Sequence, residues 1–455
     1  MASTNSPNAA TRLWRRFTAG TTNRRIMRAA LLIGALSVGV KVISVAKELL
    51  VGWRFGVSGK MDAFGIALMV PSFGINLIAN SFSAALIPTY IRAREHDGAE
   101  AAQKLFSAII GWSLALLTLA AILLVSLAPW YLPYLASGFG PEKLALTYRL
   151  ILLLSPLMVL TGLANICGAV LNAGEKFALV AVAPLATPAL TILLLLVGRS
   201  WGVYALALGL VLGAVVEMSL LALALRRRGV SLRPRWHGLD EHLRAVAGQF
   251  SPRVAGNFLR SCTGVADKSL AAGLAQGSVA ALGYGNRITS TLLNLISTAL
   301  GAAIVPYFSK MAARGDWAGV RHTLRRYLAL IFVTTAPLAV LFYFGSESLV
   351  RLLYERGSFT AQHTALVAQV QAFYALHIPF AIANAFLSRF LITMMATRLT
   401  MWTAAAALVL NVALDIVFIR KMGVAGIALS TACAAFLTFG LQLYFARRVL
   451  REKTQ

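Results

Sequence analysis

Residues 105–129 read LFSAIIGWSLALLTLAAILLVSLAP, an apolar run without one charged residue. At ~1.5 Å per residue, a helix of this length exceeds the ~30 Å hydrocarbon core of a bilayer. Apolar and polar residues do not alternate with period 2, which argues against a strand of a membrane barrel. Lipid satisfies no backbone hydrogen bonds, so a helix is the spanning element left.

Working outward, comparable runs recur at 29–52, 63–91, 145–173, 177–198, 202–225, 249–275, 279–308, 324–345, 362–395, 399–419 and 423–446. The longer ones are expected to tilt or bend around Pro71, Pro156 or Pro379. Of the 455 residues 58% are hydrophobic and 13% charged, against roughly a quarter charged in a soluble domain. The expected fold class is an all-α polytopic membrane protein of about twelve transmembrane helices.

The formal net charge of +26 sits in short segments between apolar runs, not on one amphipathic face. That placement is the positive-inside signal of a membrane protein, and no nucleic-acid partner is expected. With the N-terminus inside, the cytoplasmic loops carry Arg92 and Arg94, then Arg226–Arg228, Arg233, Arg235 and Arg244. Lys310, Arg314, Arg321, Arg325 and Arg326 follow, then Arg447, Arg448, Arg451 and Lys453. The outer loops are poorer in Lys and Arg, so both termini are expected in the cytoplasm. Residues 1–28 read as a basic cytoplasmic tail, because the apolar stretch after them outruns a signal-peptide core and lacks a cleavage site. Cys167, Cys262 and Cys433 lie inside apolar runs without paired spacing, as small core residues.

The longest basic loop, 226–248, divides six spans from six, and the halves echo each other. Ile87-Pro88-Thr89-Tyr90 closes the second run ahead of Arg92, Arg94 and Asp97; Val305-Pro306-Tyr307 closes the eighth ahead of Lys310, Arg314 and Asp316. Val45-Ala46-Lys47-Glu48 stands at a similar offset to Val265-Ala266-Asp267-Lys268. The expected organisation is therefore a tail (1–28), an N-lobe (29–225), a linker (226–248), a C-lobe (249–446) and a basic tail (447–455). Equal numbers of spans per half make the repeat parallel, with a cavity between pseudo-symmetric lobes, as in a transporter.

An ionisable residue inside a span costs at least ~2.5–3.5 kcal/mol on insertion scales and by default marks a polar pathway. Run one holds Lys41, Lys47 and Glu48, with Lys41, Ser44 and Glu48 sharing one helical face. Run seven places Arg253, Asn257, Arg260, Gly264 and Asp267 on one stripe, with Lys268 beside it; run eight opens with Tyr284, Asn286 and Arg287. The excess is cationic and suits an anionic cargo, since Arg holds phosphate oxygens bidentately. Candidate substrate contacts are Lys41, Lys47, Arg260 and Arg287. Glu48, Asp62, Glu217, Asp267 and Asp415 are candidates for ion coupling or structural pairing, Lys47–Glu48 and Asp267–Lys268 being the sequence-adjacent pairs. His377 reads as a packed core residue. Nucleotide-binding glycine motifs, zinc-type clusters and nucleophile elbows are missing, so no enzyme activity, metal or cofactor is expected.

Lys41-Val-Ile-Ser-Val-Ala-Lys47-Glu48, Arg54-Phe-Gly56, Met61-Asp62-Ala63-Phe64 and Ile87-Pro88 resemble the N-terminal signature of the MurJ/MviN flippases of the multidrug/oligosaccharidyl-lipid/polysaccharide exporter superfamily. Gly277-Ser278-Val279, Tyr284-Gly-Asn-Arg287, Val305-Pro306 and Gly357-Ser-Phe-Thr-Ala361 continue it through the second half. The resemblance implies two six-helix lobes forming a V and alternating access. It also implies flipping of undecaprenyl-pyrophosphate-linked saccharides across a bacterial inner membrane, by a monomer working with glycan-assembly enzymes. The family's cavity arginines map onto Lys41, Lys47 and Arg287. A further one, just after the second-span proline, has no counterpart in Ser72-Phe-Gly-Ile-Asn76, and the usual acidic neighbour of Arg287 is Asn286. The family's two additional C-terminal helices are also missing. These departures favour a surface-polysaccharide unit as cargo, with lipid II close behind. A cation-coupled drug exporter would call for acidic cavity residues. A glycosyltransferase or polymerase would call for catalytic groups in a large outer loop, where 130–144 and 346–361 are short.

Overall fold

A computed structural model describes residues 21–454 apart from 175–176, 236–237, 239–240 and 395; side chains are described from residue 36, those of 297–307 being among the exceptions. Most of the expected N-terminal tail and the Val305-Pro306-Tyr307 motif thus lie outside the described side chains.

The first half runs α1 (Thr21–Phe55), α2 (Gly59–Gly74), α3 (Asn80–His96), α4 (Gly98–Ser126), α5 (Ala128–Leu135) and α6 (Pro141–Ala173). It closes with α7 (Phe177–Val182), α8 (Ala186–Val197) and α9 (Val203–Arg226). The second half runs α10 (Glu241–Ala272), α11 (Ser278–Ala313), α12 (Trp317–Phe344) and α13 (Ser346–Tyr354). Then come α14 (Ala361–Thr393), α15 (Thr397–Met422) and α16 (Val424–Thr454). The chain is an all-helical, multi-pass membrane protein with no strand among the described residues.

Counting α2–α3 and α7–α8 as joined, the long segments follow the twelve apolar runs, with α1, α4, α10 and α12 each beginning seven or eight residues early. Nine of them, among the described residues, are long and apolar enough to cross a membrane. The segments 130–144 and 346–361 hold two short helices unforeseen in the sequence, α5 and α13, at matching places in the two halves.

Pro71 has no N–H to give and its ring crowds the preceding turn. The helix opens four residues later into a wide π turn, Ile75–Ala79, before resuming as α3. Such bulges recur where a helix is bent for function. By contrast, α6 continues through Pro156 and α14 through Pro379.

Helix packing relies on small residues, as expected where lipid removes a hydrophobic drive between helices. Gly209 and Gly213 of α9 lie against Thr191 and Thr187; a Cβ there would come 2.6 and 2.4 Å from those Cα atoms. The second half is filled by Phe308, whose ring meets Phe386 and Phe390 at 5.9 and 5.3 Å. Between the halves stands α10, which touches α3 on one side and α15 on the other. α1 lies against α7 and α8, leaving Val38 and Val42 about 60% exposed along its middle (59% and 62%). The linker is strapped down at its start: Gln103 Nε2 donates to Ser231 O at 2.8 Å, and Ser231 N donates back to Gln103 Oε1 at 2.9 Å.

Candidate functional site

Glu48 joins the two halves through charge. Its Oε1 accepts from Lys47 Nζ and from Arg287 Nη2, each at 2.6 Å, coupling α1 to α11. The sequence-adjacent Lys47–Glu48 pair is therefore present, and Arg287 extends it to a triad. Beneath it, Tyr284 packs on Tyr354 and Phe359 with ring centroids 5.2 and 5.6 Å apart. Glu48 is 14% exposed but Arg287 is 52% exposed, so the guanidinium keeps donors available to a ligand. Lys41 lies about two turns away along α1, exposed, and among the described residues it has no ion-pair partner.

A cavity of about 380 Å³ opens between α2–α3 and α10. Its cations are Arg260 and Lys268, facing Ser72, Asn76 and Asn80 across the gap, with Asn257 at one side. The wide turn after Pro71 supports this wall: Asn80 Nδ2 donates to Asn76 Oδ1 at 2.9 Å, and Asn165 Nδ2 donates to Asn80 Oδ1 at 3.1 Å. Lys268 Nζ reaches Gly65 O at 3.3 Å. The lining holds cations and carboxamides but no carboxylate.

The expected stripe on α10 needs one correction. Asn257, Arg260 and Gly264 do line the cavity, but the next position on that face is Lys268, not Asp267. Asp267 turns the other way, into the second half, and makes no salt bridge with Lys268 among the described residues. There Asn411 Nδ2 donates to Asp267 Oδ1 at 2.7 Å and to Asp415 Oδ2 at 2.8 Å. Asp415 also accepts from the Ser430 hydroxyl. Two buried carboxylates sharing one carboxamide form an oxygen-rich site of the kind that suits a hard cation.

Asp62 is a clasp. Only 2% exposed, its carboxylate accepts from Lys143 Nζ at 2.8 Å, from Gly277 N at 2.7 Å and from Ala280 N at 2.9 Å. It thus caps the N-terminus of α11 from the opposite half, where backbone N–H groups and the helix dipole favour an anion. Nearby, Ser358 N donates to Trp53 O at 2.8 Å. Gly56 and Gly357 both sit in the left-handed region (φ 53° and 61°); a Cβ on Gly56 would lie 2.2 Å from Ser358 O and one on Gly357 2.5 Å from Trp53 O. Arg54 secures the neighbouring helix end by donating to the carbonyls of Leu195, Gly198 and Arg199. The cavity is closed at this end. At the other end Phe82 stacks on Phe250 with centroids 4.1 Å apart, and Asn257 Nδ2 donates to Ser81 Oγ at 3.0 Å.

Glu217 lies elsewhere. It faces Thr187 Oγ1 at 3.5 Å, a contact between α9 and α8 within the first half, apart from the cavity. Sequence reasoning left Asn80, Asn165, Asn411 and Lys143 unmarked as site residues. For the three asparagines the usable signal was a carboxamide inside an otherwise apolar run, which must find a polar partner.

With this geometry in place, comparison with known proteins gives a consistent result. The family model described as "Lipid II flippase MurJ" matches residues 53–454. The chain belongs to the MurJ family. A probable lipid II flippase MurJ of Rhizobium tropici is 24% identical over 429 residues, covering 92% of this chain and 80% of that one. The lipid II flippase MurJ of Burkholderia cenocepacia is 25% identical over 425 residues, covering 90% and 82%. Among solved structures, lipid II flippase MurJ in an inward closed conformation matches with a TM-score of 0.79 at 21% identity, covering 93% of this chain and 90% of that chain. An inward-facing MATE-family multidrug resistance transporter of the MOP superfamily matches with a TM-score of 0.76 at 14% identity, covering 93% and 99%. The MurJ fold is thus one this chain shares with MOP-superfamily transporters.

Proposed function

We propose that this protein flips a lipid-linked saccharide carrying a pyrophosphate, lipid II first among them, across the bacterial inner membrane by alternating access. The observation that carries this reading is the cationic cavity between the halves: Arg260 and Lys268 facing a carboxamide wall, with the Lys47–Glu48–Arg287 triad between α1 and α11. Arginine and lysine lining one cavity attract a diphosphate, and the guanidinium holds it with two parallel hydrogen bonds. The carboxamides of Asn76, Asn80 and Asn257 suit sugar hydroxyls and amides, which need both donors and acceptors. The polyprenyl tail stays in lipid beside the exposed middle of α1. The names carried by the relatives favour lipid II over a surface-polysaccharide unit.

In this mechanism residues 29–225 and 249–446 are the two lobes, 226–248 is the connection about which they rock, and both termini are cytoplasmic. The end closed by Asp62 is then periplasmic. Transport opens that end by releasing α11 from Asp62 and Ser358 from Trp53. The buried Asp267–Asn411–Asp415 group is a candidate seat for a coupling cation, since a cation offsets the repulsion between two carboxylates. A drug-exporter reading fits less well, because the cavity lining carries no carboxylate for a cationic drug.

The test is transport by purified protein in proteoliposomes, with lipid II, an undecaprenyl-pyrophosphate-linked surface-polysaccharide unit and undecaprenyl phosphate offered separately. Lipid II is expected to become accessible on the opposite leaflet, and the monophosphate without sugar to move far less. Transport of no pyrophosphate-linked saccharide, or equal transport of all three, overturns the proposal.

A further inference from the structure

A second cavity, of about 540 Å³, lies between α12 and α16, away from the interlobe site. Four arginines edge it: Arg321 and Arg325 from the first two turns of α12, Arg447 and Arg451 from the last turns of α16. Each pair is spaced i, i+4 and so lies on one face of its helix. The floor is apolar, with Leu328, Phe332, Phe439 and Leu443 continuing both faces away from the arginines. From Arg325 to Phe332 the groove runs roughly 10 Å along the helix axis. Arg448, next to Arg447 in sequence, points elsewhere and pairs with Glu452 at 2.9 Å. All four arginines are exposed, whereas Leu324, Leu328 and Leu450 are buried beneath them.

The charge is graded in the direction of a membrane interface, with guanidinium groups at the helix ends and an apolar channel running toward the span centres. Among the described residues no carboxylate lines the groove. We infer that this groove binds an anionic glycerophospholipid. The phosphodiester sits among the four arginines, and an acyl chain lies along Leu328, Phe332, Phe439 and Leu443. Basic residues at a leaflet surface attract anionic headgroups, and a basic pocket between helices turns that attraction into a site. Both helix ends face the cytoplasmic leaflet in the orientation proposed above. The site rests on the α12–α16 geometry alone and stands or falls independently of what the interlobe cavity carries.

The experiment is native mass spectrometry of the full-length protein in detergent, titrated with phosphatidylglycerol and with phosphatidylcholine of the same acyl chains. Phosphatidylglycerol is expected to bind with a preference that R325Q/R447Q lowers by about thirty-fold, two arginine contacts being lost. R325K/R447K should retain most of it, since the positive charge is kept. R226Q/R227Q, which removes two equally basic residues that do not line this groove, should leave it unchanged. Leu328→Asn should weaken the lipid while leaving the response to inorganic phosphate as it was. Equal binding of the two lipids overturns the inference, as does an unchanged preference in R325Q/R447Q. Full displacement of the lipid by inorganic phosphate, meaning a free-anion site, overturns it too. So does a protein dimer that R325Q/R447Q dissociates, meaning that a second copy fills the groove.

Discussion

The two ends of the interlobe cavity are closed by different chemistry. At one end a buried carboxylate is satisfied by a lysine and two backbone N–H groups, two left-handed glycines allow backbone to touch backbone, and Glu48 ties α1 to α11. At the other, an aromatic stack, one neutral hydrogen bond and a partly exposed His242–Asp97 contact at 3.1 Å tie α10 to the first half. A charged hydrogen bond is worth roughly twice a neutral one. The difference teaches which end moves easily. The clasped end must be opened by something that supplies comparable energy, such as cargo entering the cavity, whereas the other end, held by a stack and by more exposed polar contacts, opens at lower cost.

The largest effect that would break this asymmetry is Asp62→Ala. It leaves Lys143 and two backbone N–H groups without their acceptor, and removing one partner of a buried pair costs about 3–5 kcal/mol. Cysteine-accessibility labelling at the 56–58 turn should rise by two orders of magnitude or so, with transport lost. Next is Gly56→Ala, which meets Ser358 O and must adopt a positive φ, at a cost of about 1–3 kcal/mol; the same labelling reads it, with a smaller rise. Arg287→Ala follows. It removes a half-exposed partner of Glu48, lowering thermal stability by about 1–2 kcal/mol while abolishing transport, so that the two readouts separate. The smallest effect is Phe82→Ala, which should raise labelling at the stacked end and leave the clasped end as it is.

Much of the fold was legible in the sequence. The apolar runs marked the long helices to within several residues, and the charges in runs one, seven and eight lie on α1, α10 and α11. The family signature was legible too, although what its pieces do was not. Arg54-Phe-Gly56, Asp62, Gly277-Ser278 and Gly357-Ser are four separate motifs in the chain and one closed end in the structure. No local rule places Asp62 against an amide 215 positions away. The choice between Asp267 and Lys268 was also out of reach, because neighbouring residues differ by 100° in direction and only the packing of α10 between α3 and α15 fixes which faces the cavity. The family pattern's arginine after the second-span proline has no counterpart here, and Ser72 and Asn76 line the wall after Pro71. The cations opposite it, Arg260 and Lys268, come from α10.

That placement makes the central claim testable in one measurement: lipid II flipping by Arg260→Gln/Lys268→Gln in proteoliposomes, with thermal unfolding measured on the same sample. The predicted result is loss of flipping with an unfolding midpoint close to that of the unaltered protein, since both side chains face the cavity and neither belongs to a salt bridge among the described residues. Flipping at the unaltered rate in a folded double variant would contradict the account.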